Sequence, residues 1–142
     1  MEAYQKLQKI FNGLTRAHGV FYKGETKESG KVGGKAYIIK EEVTEKHWKD
    51  HIEGVDPSLG IIPIRDDSNC IWSCIDVDDY TIDVRKTIQA YNKLNLPIIP
   101  CRSKSGGFHL FLFYSEPVPA KSAIKKLTAV SYTHLRAHET RR

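Results

Sequence analysis

The succession of short apolar segments after residue 58 constrains the fold more than any other feature of the chain. "CIWSCIDVD" and "FHLFLFY" show the alternation of β-strands, and "TIDVRKTIQAYNKLN" between them has the spacing of an amphipathic helix. With their neighbours, these segments give the order strand, strand, helix, strand, strand, helix. This order predicts an α+β fold with a mostly antiparallel sheet and helices.

Turn residues between the segments predict how the strands connect. "GIIPIR" and "CIWSCIDVD" surround "DDSN", which predicts a β-hairpin, and "LPIIPCR" joins "FHLFLFY" through "SKSGG". "VPAKSAIKKL" begins a last helix, with Pro119 suited to its first turn. This arrangement predicts a ferredoxin-like or RRM-like sheet, and such a sheet would need another strand beyond this helix.

Residues 1–57 are predicted to form an N-terminal helix and hairpin. Residues 58–128 are predicted to form the start of the RRM-like core. Residues 4–18 have apolar side chains at helical spacing. "HGVFYKG" and "KAYIIKEE" flank the connection "ETKESGKVGG", as the strands of a hairpin would. A second helix is predicted to begin after Thr44 and to stop at Gly54.

The C-terminal segment is not expected to continue the helix-like segment that precedes it. Val130–Thr140, "VSYTHLRAHET", resembles over its whole length the translation of a transposase-type sequencing adapter. We therefore interpret residues 129–142 as a non-native tail and the chain as C-terminally truncated. Because the tail carries three arginines and one glutamate, its removal lowers the formal charge from +5 to +3.

Composition excludes several classes of protein. The chain has 142 residues, which suffices for one domain with a core, and no apolar run of transmembrane length. The three cysteines are an odd number without a secretory signal, which favours free, packed thiols and a cytoplasmic location. The modest positive charge permits a polyanionic partner, and no membrane partner is expected.

A pair of carboxylates lies at the end of the predicted strand "CIWSCIDVD". Asp76 and Asp78 would share one strand face, whereas Asp79 would lie on the other if the strand continued. Two neighbouring carboxylates repel each other unless a cation lies between them, and hard oxygen ligands suit Mg²⁺ or Mn²⁺. An exposed acidic turn at the end of a strand is the alternative interpretation.

A second polar group lies in "CRSKSGGFHLFLF". Small, hydroxyl and cationic residues precede a strand in which His109 is the one polar residue among apolar neighbours. Such a loop suits a triphosphate, because arginine and lysine supply charge and glycine N–H groups can bind anions. The candidates are Arg102, Ser103, Lys104, Ser105, Gly106, Gly107 and His109. An ordinary hairpin turn with a hydrogen-bonded core histidine is the alternative.

Together the two groups resemble the archaeo-eukaryotic primase superfamily, in particular the primase domains of TOTE conflict systems and their phage-borne relatives. The first motif of that superfamily, hydrophobic-Asp-hydrophobic-Asp/Glu, matches "CIDVD" with Asp76 and Asp78. The second motif, small-x-His, matches "GFH" with Gly107 and His109. The resemblance extends over residues 1–128 and is most specific in 58–120.

The resemblance implies template-dependent nucleotidyl transfer by a DNA primase or polymerase. Asp76 and Asp78 would hold two divalent ions, Mg²⁺ or Mn²⁺, and His109 would contact the nucleoside triphosphate. No organic cofactor is implied. The implied partners are nucleoside triphosphates, a DNA template and primer, and helicase or nuclease domains of the full-length gene. The implied location is the cytoplasm of a prokaryotic or phage-infected cell.

One part of the family pattern is missing from the sequence. The family has a third motif with an acidic ligand on a later strand, and nothing after Thr128 supplies it. We therefore expect an incomplete catalytic core that is inactive as a fragment. A metal-dependent nuclease and a non-catalytic RRM-like module that binds single strands through Phe111 and Phe113 remain alternatives. The spacing of the three cysteines disfavours a structural zinc site, and a rolling-circle endonuclease lacks its paired histidines.

Overall fold

The computed structural model describes residues 1–28, 30, 32–78, 81–103 and 107–139. Within these ranges the chain forms four helices and six strands. The helices are α1 (Ala3–Ile10), α2 (Glu45–Glu53), α3 (Val84–Lys93) and α4 (Ala120–Glu139). The strands are β1 (His18–Thr26), β2 (Val32–Ile39), β3 (Ser58–Gly60), β4 (Asn69–Val77), β5 (Ile99–Arg102) and β6 (Phe108–Pro119). The predicted α+β class is confirmed.

The first sheet has the order β2-β1-β3, and all its neighbours are antiparallel. The hairpin predicted in the N-terminal part is therefore confirmed. β1 extends two residues beyond the predicted strand, and β2 begins and ends three residues earlier than expected. Helix α2 begins after Thr44, whose N–H donates to Nδ1 of His47. It ends at Gly54, whose φ of 75° is the left-handed conformation that glycine adopts most easily.

The hairpin predicted between "GIIPIR" and "CIWSCIDVD" is wrong. β3 pairs with β1 instead, and residues 61–65 are irregular although the "DDSN" turn is present. Arg65 donates its N–H to the carbonyl of Asn69 across this turn. Pro63 lacks an N–H and so weakens any ladder through this segment, and β4 pairs along its length with β6.

The second sheet has the order β4-β6-β5, with β6 antiparallel to both neighbours. β4, α3 and β5 thus form a split β-α-β unit, and β6 occupies the space between its strands. This corresponds to the strand order expected from a ferredoxin-like start. The expectation of one sheet for the whole segment after residue 58 was wrong only for β3, which belongs to the first sheet.

One face of the second sheet carries the main apolar core. Phe108 and Leu110 of β6 are almost fully buried against Tyr91 of α3. Burial raises the pKa of Tyr91 to about 12. The partly buried side chains around this cluster are Ile75, Val77, Ile82, Val84, Leu96 and Ile98. Because this core occupies one face, Asp76 of β4 and His109 of β6 are left on the other.

Helix α1 is shorter than the predicted helix over residues 4–18. It ends at Ile10, and the following chain turns so that Leu14 donates its N–H to the carbonyl of Ile62. Gly13 permits this approach, since a Cβ there would lie 2.2 Å from the Ile62 oxygen. Tertiary contacts therefore override the helical spacing of these residues.

Helix α4 continues without interruption through Val130 to Glu139. The sequence-based view that the adapter-like segment does not continue the preceding helix is therefore wrong. Val130 is buried, as is Ala123, which lies two turns earlier on the same face of the helix. The foreign origin of residues 129–142 stays a prediction, because any sequence of helix-forming residues can extend a helix.

The two-faced sheet predicts the effect of removing one core side chain. Leu110→Ala should lower the free energy of unfolding by about 2–5 kcal/mol, because Leu110 is 1% exposed and would leave a cavity. Ile124→Ala on α4 is the control, since Ile124 is 58% exposed and should change stability by about 0.5 kcal/mol or less. Chemical denaturation measures both, and equal losses would contradict the assigned core.

Candidate active site

Asp76 and His109 lie directly opposite each other on adjacent strands. The register of β4 and β6 pairs the two residues, so both side chains project from the face that α3 leaves free. Nε2 of His109 is 3.4 Å from Oδ1 of Asp76. The side chain of His109 is 40% exposed and that of Asp76 is 62% exposed, so a ligand can reach both. The motifs "CIDVD" and "GFH" thus meet at one point.

This pair opens into a cavity of about 840 Å³ between the two sheets. The second sheet contributes Asp76, Arg102, Ser103 and His109 to its lining. The first sheet and α2 contribute Gly19, Val20, Phe21, Ala36, Tyr37, Ile38, His51, Ser58, Leu59 and Gly60. The volume lies within the range of small-molecule sites, and one wall is polar while the other is largely apolar.

A second cavity of about 400 Å³ adjoins the first and is mainly aromatic and aliphatic. Phe11 contacts the rings of Trp72, Phe111 and Phe113 there, with centroids 5.2–5.5 Å apart. His51, Leu59, Gly60 and His109 line both cavities. Since Phe111 and Phe113 pack against Phe11, their rings are engaged inside the protein rather than presented as a free stacking surface.

Gly107, which precedes β6, lies close to the end of β4 and to Ser103. Ser103 donates its N–H to the carbonyl of Gly107 at 3.0 Å, and Ser103 is buried. A Cβ on Gly107 would lie 2.2 Å from the carbonyl oxygen of Val77. The small residue of "GFH" therefore allows the two strands to approach, next to the Asp76–His109 pair. Its predicted contact with a ligand stays a prediction.

Asp78 differs from Asp76 in its surroundings. Asp78 follows the last residue of β4, is exposed, and lines neither cavity. Its shared face with Asp76 therefore stays a prediction, because the strand ends at Val77. Asp79 and the predicted phosphate-binding residues Lys104, Ser105 and Gly106 lie outside the described residues.

The cysteines differ in their surroundings. Cys70 is buried, as predicted for a packed thiol, whereas Cys101 is exposed, so the prediction that all three are packed is wrong. Cys101 lies on the edge strand β5 opposite His109. Burial, with a smaller contribution from the Asp76 carboxylate, raises the pKa of Cys74 to about 11. In the described part of the chain, no three acidic, histidine or cysteine side chains are grouped as metal ligands.

The acidic residues at the end of β4 nevertheless fit a hard divalent cation. Asp76 projects toward the polar wall of the solvent-accessible cavity, and its carboxylate has a second oxygen besides the one near His109. Mg²⁺ commonly takes one or two protein carboxylates and completes its shell with water and substrate phosphates. Asp76 with Asp78 is compatible with this mode of binding.

Sequence reasoning did not identify His51 as a site residue. The helix that carries it was predicted, but its spacing with His47 and Trp48 gave no sign of which histidine faces the cleft. In the structure His51 lines both cavities, whereas His47 accepts the N–H of Thr44 at the start of the helix. Only the packing of α2 against β3 distinguishes the two.

The fold and the cleft define the class of protein. This α+β chain places an aspartate and a histidine opposite each other on adjacent strands, in a cleft that Arg102 and Ser103 also line. Residues 9–141 match the family model "TOTE conflict system, Archaeo-Eukaryotic Primase domain". The chain belongs to this family, as the resemblance of its motifs indicated. A comparison with curated proteins found no match.

The family supports a primase-type nucleotidyltransferase function in general, with nucleotides and DNA as substrates. The match includes residues 130–141, which the sequence interpretation assigns to a foreign tail. In the described ranges, every helix is too short or too polar to cross a membrane.

The tight contact at Gly107 gives a testable prediction. Gly107→Ala should lower the free energy of unfolding by about 1–3 kcal/mol, because the added methyl group would press against the backbone of Val77. Gly19→Ala is the control, since its Cβ would make ordinary contacts at 3.5 Å. Thermal unfolding measures both variants. A Gly107 variant as stable as the control would contradict the close approach.

The cysteines should differ in alkylation rate. With iodoacetamide at pH 8, the exposed Cys101 should react first, and mass spectrometry of peptides identifies the modified residue. Cys74 should react slowly, because a pKa of about 11 leaves about one thiol in a thousand ionised at this pH. Its rate should rise as the pH approaches 11. Modification of Cys74 as fast as Cys101 at pH 8 would contradict this assignment.

Proposed function

We propose that this chain carries the metal- and triphosphate-binding part of a DNA primase–polymerase that extends a strand on a template. One observation carries the proposal: Asp76 and His109 lie opposite each other, 3.4 Å apart, in a cavity shared with Arg102 and Ser103. This arrangement supports the proposal, because a carboxylate is a ligand that Mg²⁺ prefers and the neighbouring side chains are donors that suit a triphosphate.

Each side chain has a distinct role in this proposal. Asp76 and Asp78 supply carboxylate oxygens to divalent ions, Mg²⁺ or Mn²⁺. His109 donates a hydrogen bond to the triphosphate, and Arg102 balances its negative charge. The binding of the phosphates is assigned to the residues between Arg102 and His109, namely Ser103, Lys104, Ser105, Gly106 and Gly107.

The reaction joins two substrates held in the cleft. The 3′-hydroxyl of the primer or first nucleotide loses its proton to water, and its oxygen bonds to the α-phosphorus of the incoming nucleoside triphosphate. The bond from this phosphorus to the bridging oxygen breaks, and pyrophosphate leaves. When bound, the divalent ions activate the hydroxyl and stabilise the leaving group. The protein contributes by holding the triphosphate against His109 and Arg102 and by orienting it for attack.

The setting of this activity is proposed on the same basis. The DNA partners are a template and a primer, and helicase or nuclease domains encoded with the chain would supply further steps. A third acidic ligand, expected from the family pattern, would come from outside residues 1–128. We place the protein in the cytoplasm of a prokaryotic or phage-infected cell, with no organic cofactor.

The test is incorporation of labelled nucleotides on a single-stranded DNA template with Mn²⁺, using the full-length gene product. Asp76→Asn should reduce incorporation by at least about a hundredfold, because the amide keeps the size of the side chain and removes its charge. Asp66→Asn is a matched control: Asp66 is exposed and pairs with Arg16 at 2.6 Å, outside both cavities.

The same assay separates the alternatives. Undiminished incorporation by the Asp76 variant would contradict the metal assignment. DNA cleavage without nucleotides, lost in the same variant, would indicate a metal-dependent nuclease instead. Single-strand binding that survives loss of both aspartates, without any incorporation, would indicate a binding module.

A further inference from the structure

His51 is a polar residue of the cleft to which no role has been given so far. It lies in the last turn of α2 and lines both cavities together with His109. The two histidines reach the cleft from different parts of the fold, His51 from the helix beside the first sheet and His109 from the second sheet. A ligand between the sheets would therefore meet both.

One nitrogen of His51 is fixed by the backbone. Its Nδ1 accepts the N–H of Leu59 in β3 at 3.1 Å. Because Nδ1 is the acceptor, a neutral imidazole carries its proton on Nε2. Burial also lowers the pKa of His51, which favours this neutral form. The hydrogen bond thus selects the tautomer and the orientation of the ring.

The other nitrogen is a donor for which the described part of the chain shows no acceptor. Among the described residues, Nε2 of His51 makes no hydrogen bond. No side-chain nitrogen or oxygen in that part of the chain is both fully buried and unpaired, so Nε2 is not fully buried. His51 itself lines both cavities. A preoriented donor at the wall of a ligand-sized cavity is suited to bind an oxygen acceptor.

We propose that His51 is a nucleotide-binding residue that donates its Nε2–H to an oxygen of the nucleoside triphosphate, across the cleft from His109. This inference rests on the proposed function of the cleft. Its acceptor is a phosphate or a sugar oxygen, since both offer the same hydrogen-bond chemistry. The helix beside the first sheet would then take part in substrate binding.

The test is calorimetric binding of ATP, dATP and inorganic tripolyphosphate to the full chain with Mn²⁺. His51→Asn places an amide oxygen near Nδ1, which can still accept the Leu59 N–H, and is too short to replace the donor at Nε2. We expect it to weaken ATP binding about tenfold. His51→Gln extends an amide N–H farther and should restore part of the affinity.

His47→Asn is the matched control, because His47 lies one turn earlier on α2 and lines neither cavity. It should bind ATP as the wild type does, and thermal unfolding shows whether each variant is folded. Equal weakening for all three ligands identifies a phosphate oxygen as the acceptor. Weakening for ATP alone identifies the 2′-hydroxyl, and weakening for ATP and dATP alone identifies another nucleoside oxygen.

Two results would overturn the inference in distinguishable ways. If His51→Asn and His51→Gln both bind all three ligands as the wild type does, while Asp76→Asn loses Mn²⁺-dependent ATP binding, His51 has no part in the site and the proposed function stands. If the wild-type chain binds none of the three ligands, the proposed nucleotide site and the role of His51 both fail.

Discussion

The antiparallel pairing of β4 with β6 is the interaction on which the site depends. Its register sets Asp76 opposite His109. The pairing of two strands therefore brings together two motifs that lie about thirty residues apart in the sequence. A shift of one residue in this register would turn one of the two side chains toward the core. Gly107 supports the pairing, because only a residue without a Cβ fits against the Val77 carbonyl.

The two faces of the second sheet have different parts in the structure, since one packs in the core and the other lines the cleft. Phe108 and Leu110 bind the sheet to α3, while His109 between them points into the cleft. The first sheet then supplies the opposite wall, with His51 held in one orientation by Leu59. The N-terminal part of the chain is therefore part of the candidate site, and not only an addition to the catalytic core.

Much of this arrangement follows from sequence because it depends on short-range patterns. Strand alternation predicts the shared face of Cys74 and Asp76, and Thr44 and Gly54 mark the ends of α2. The pairing of β3 with β1 and the early end of α1 depend on distant contacts, such as Leu14 with Ile62, which no local pattern contains. The position of His51 in the cleft was missed for the same reason, since α2 carries two histidines and only tertiary packing distinguishes them.

The most direct test of the account is a crystal structure of the chain with Mn²⁺ and a non-hydrolysable nucleoside triphosphate, with manganese located by its anomalous signal. The account predicts manganese at the Asp76 carboxylate and the triphosphate within hydrogen-bond distance of His109, inside the cavity between the two sheets. Manganese and nucleotide bound away from this cavity, with Asp76 and His109 contacting only each other, would contradict it.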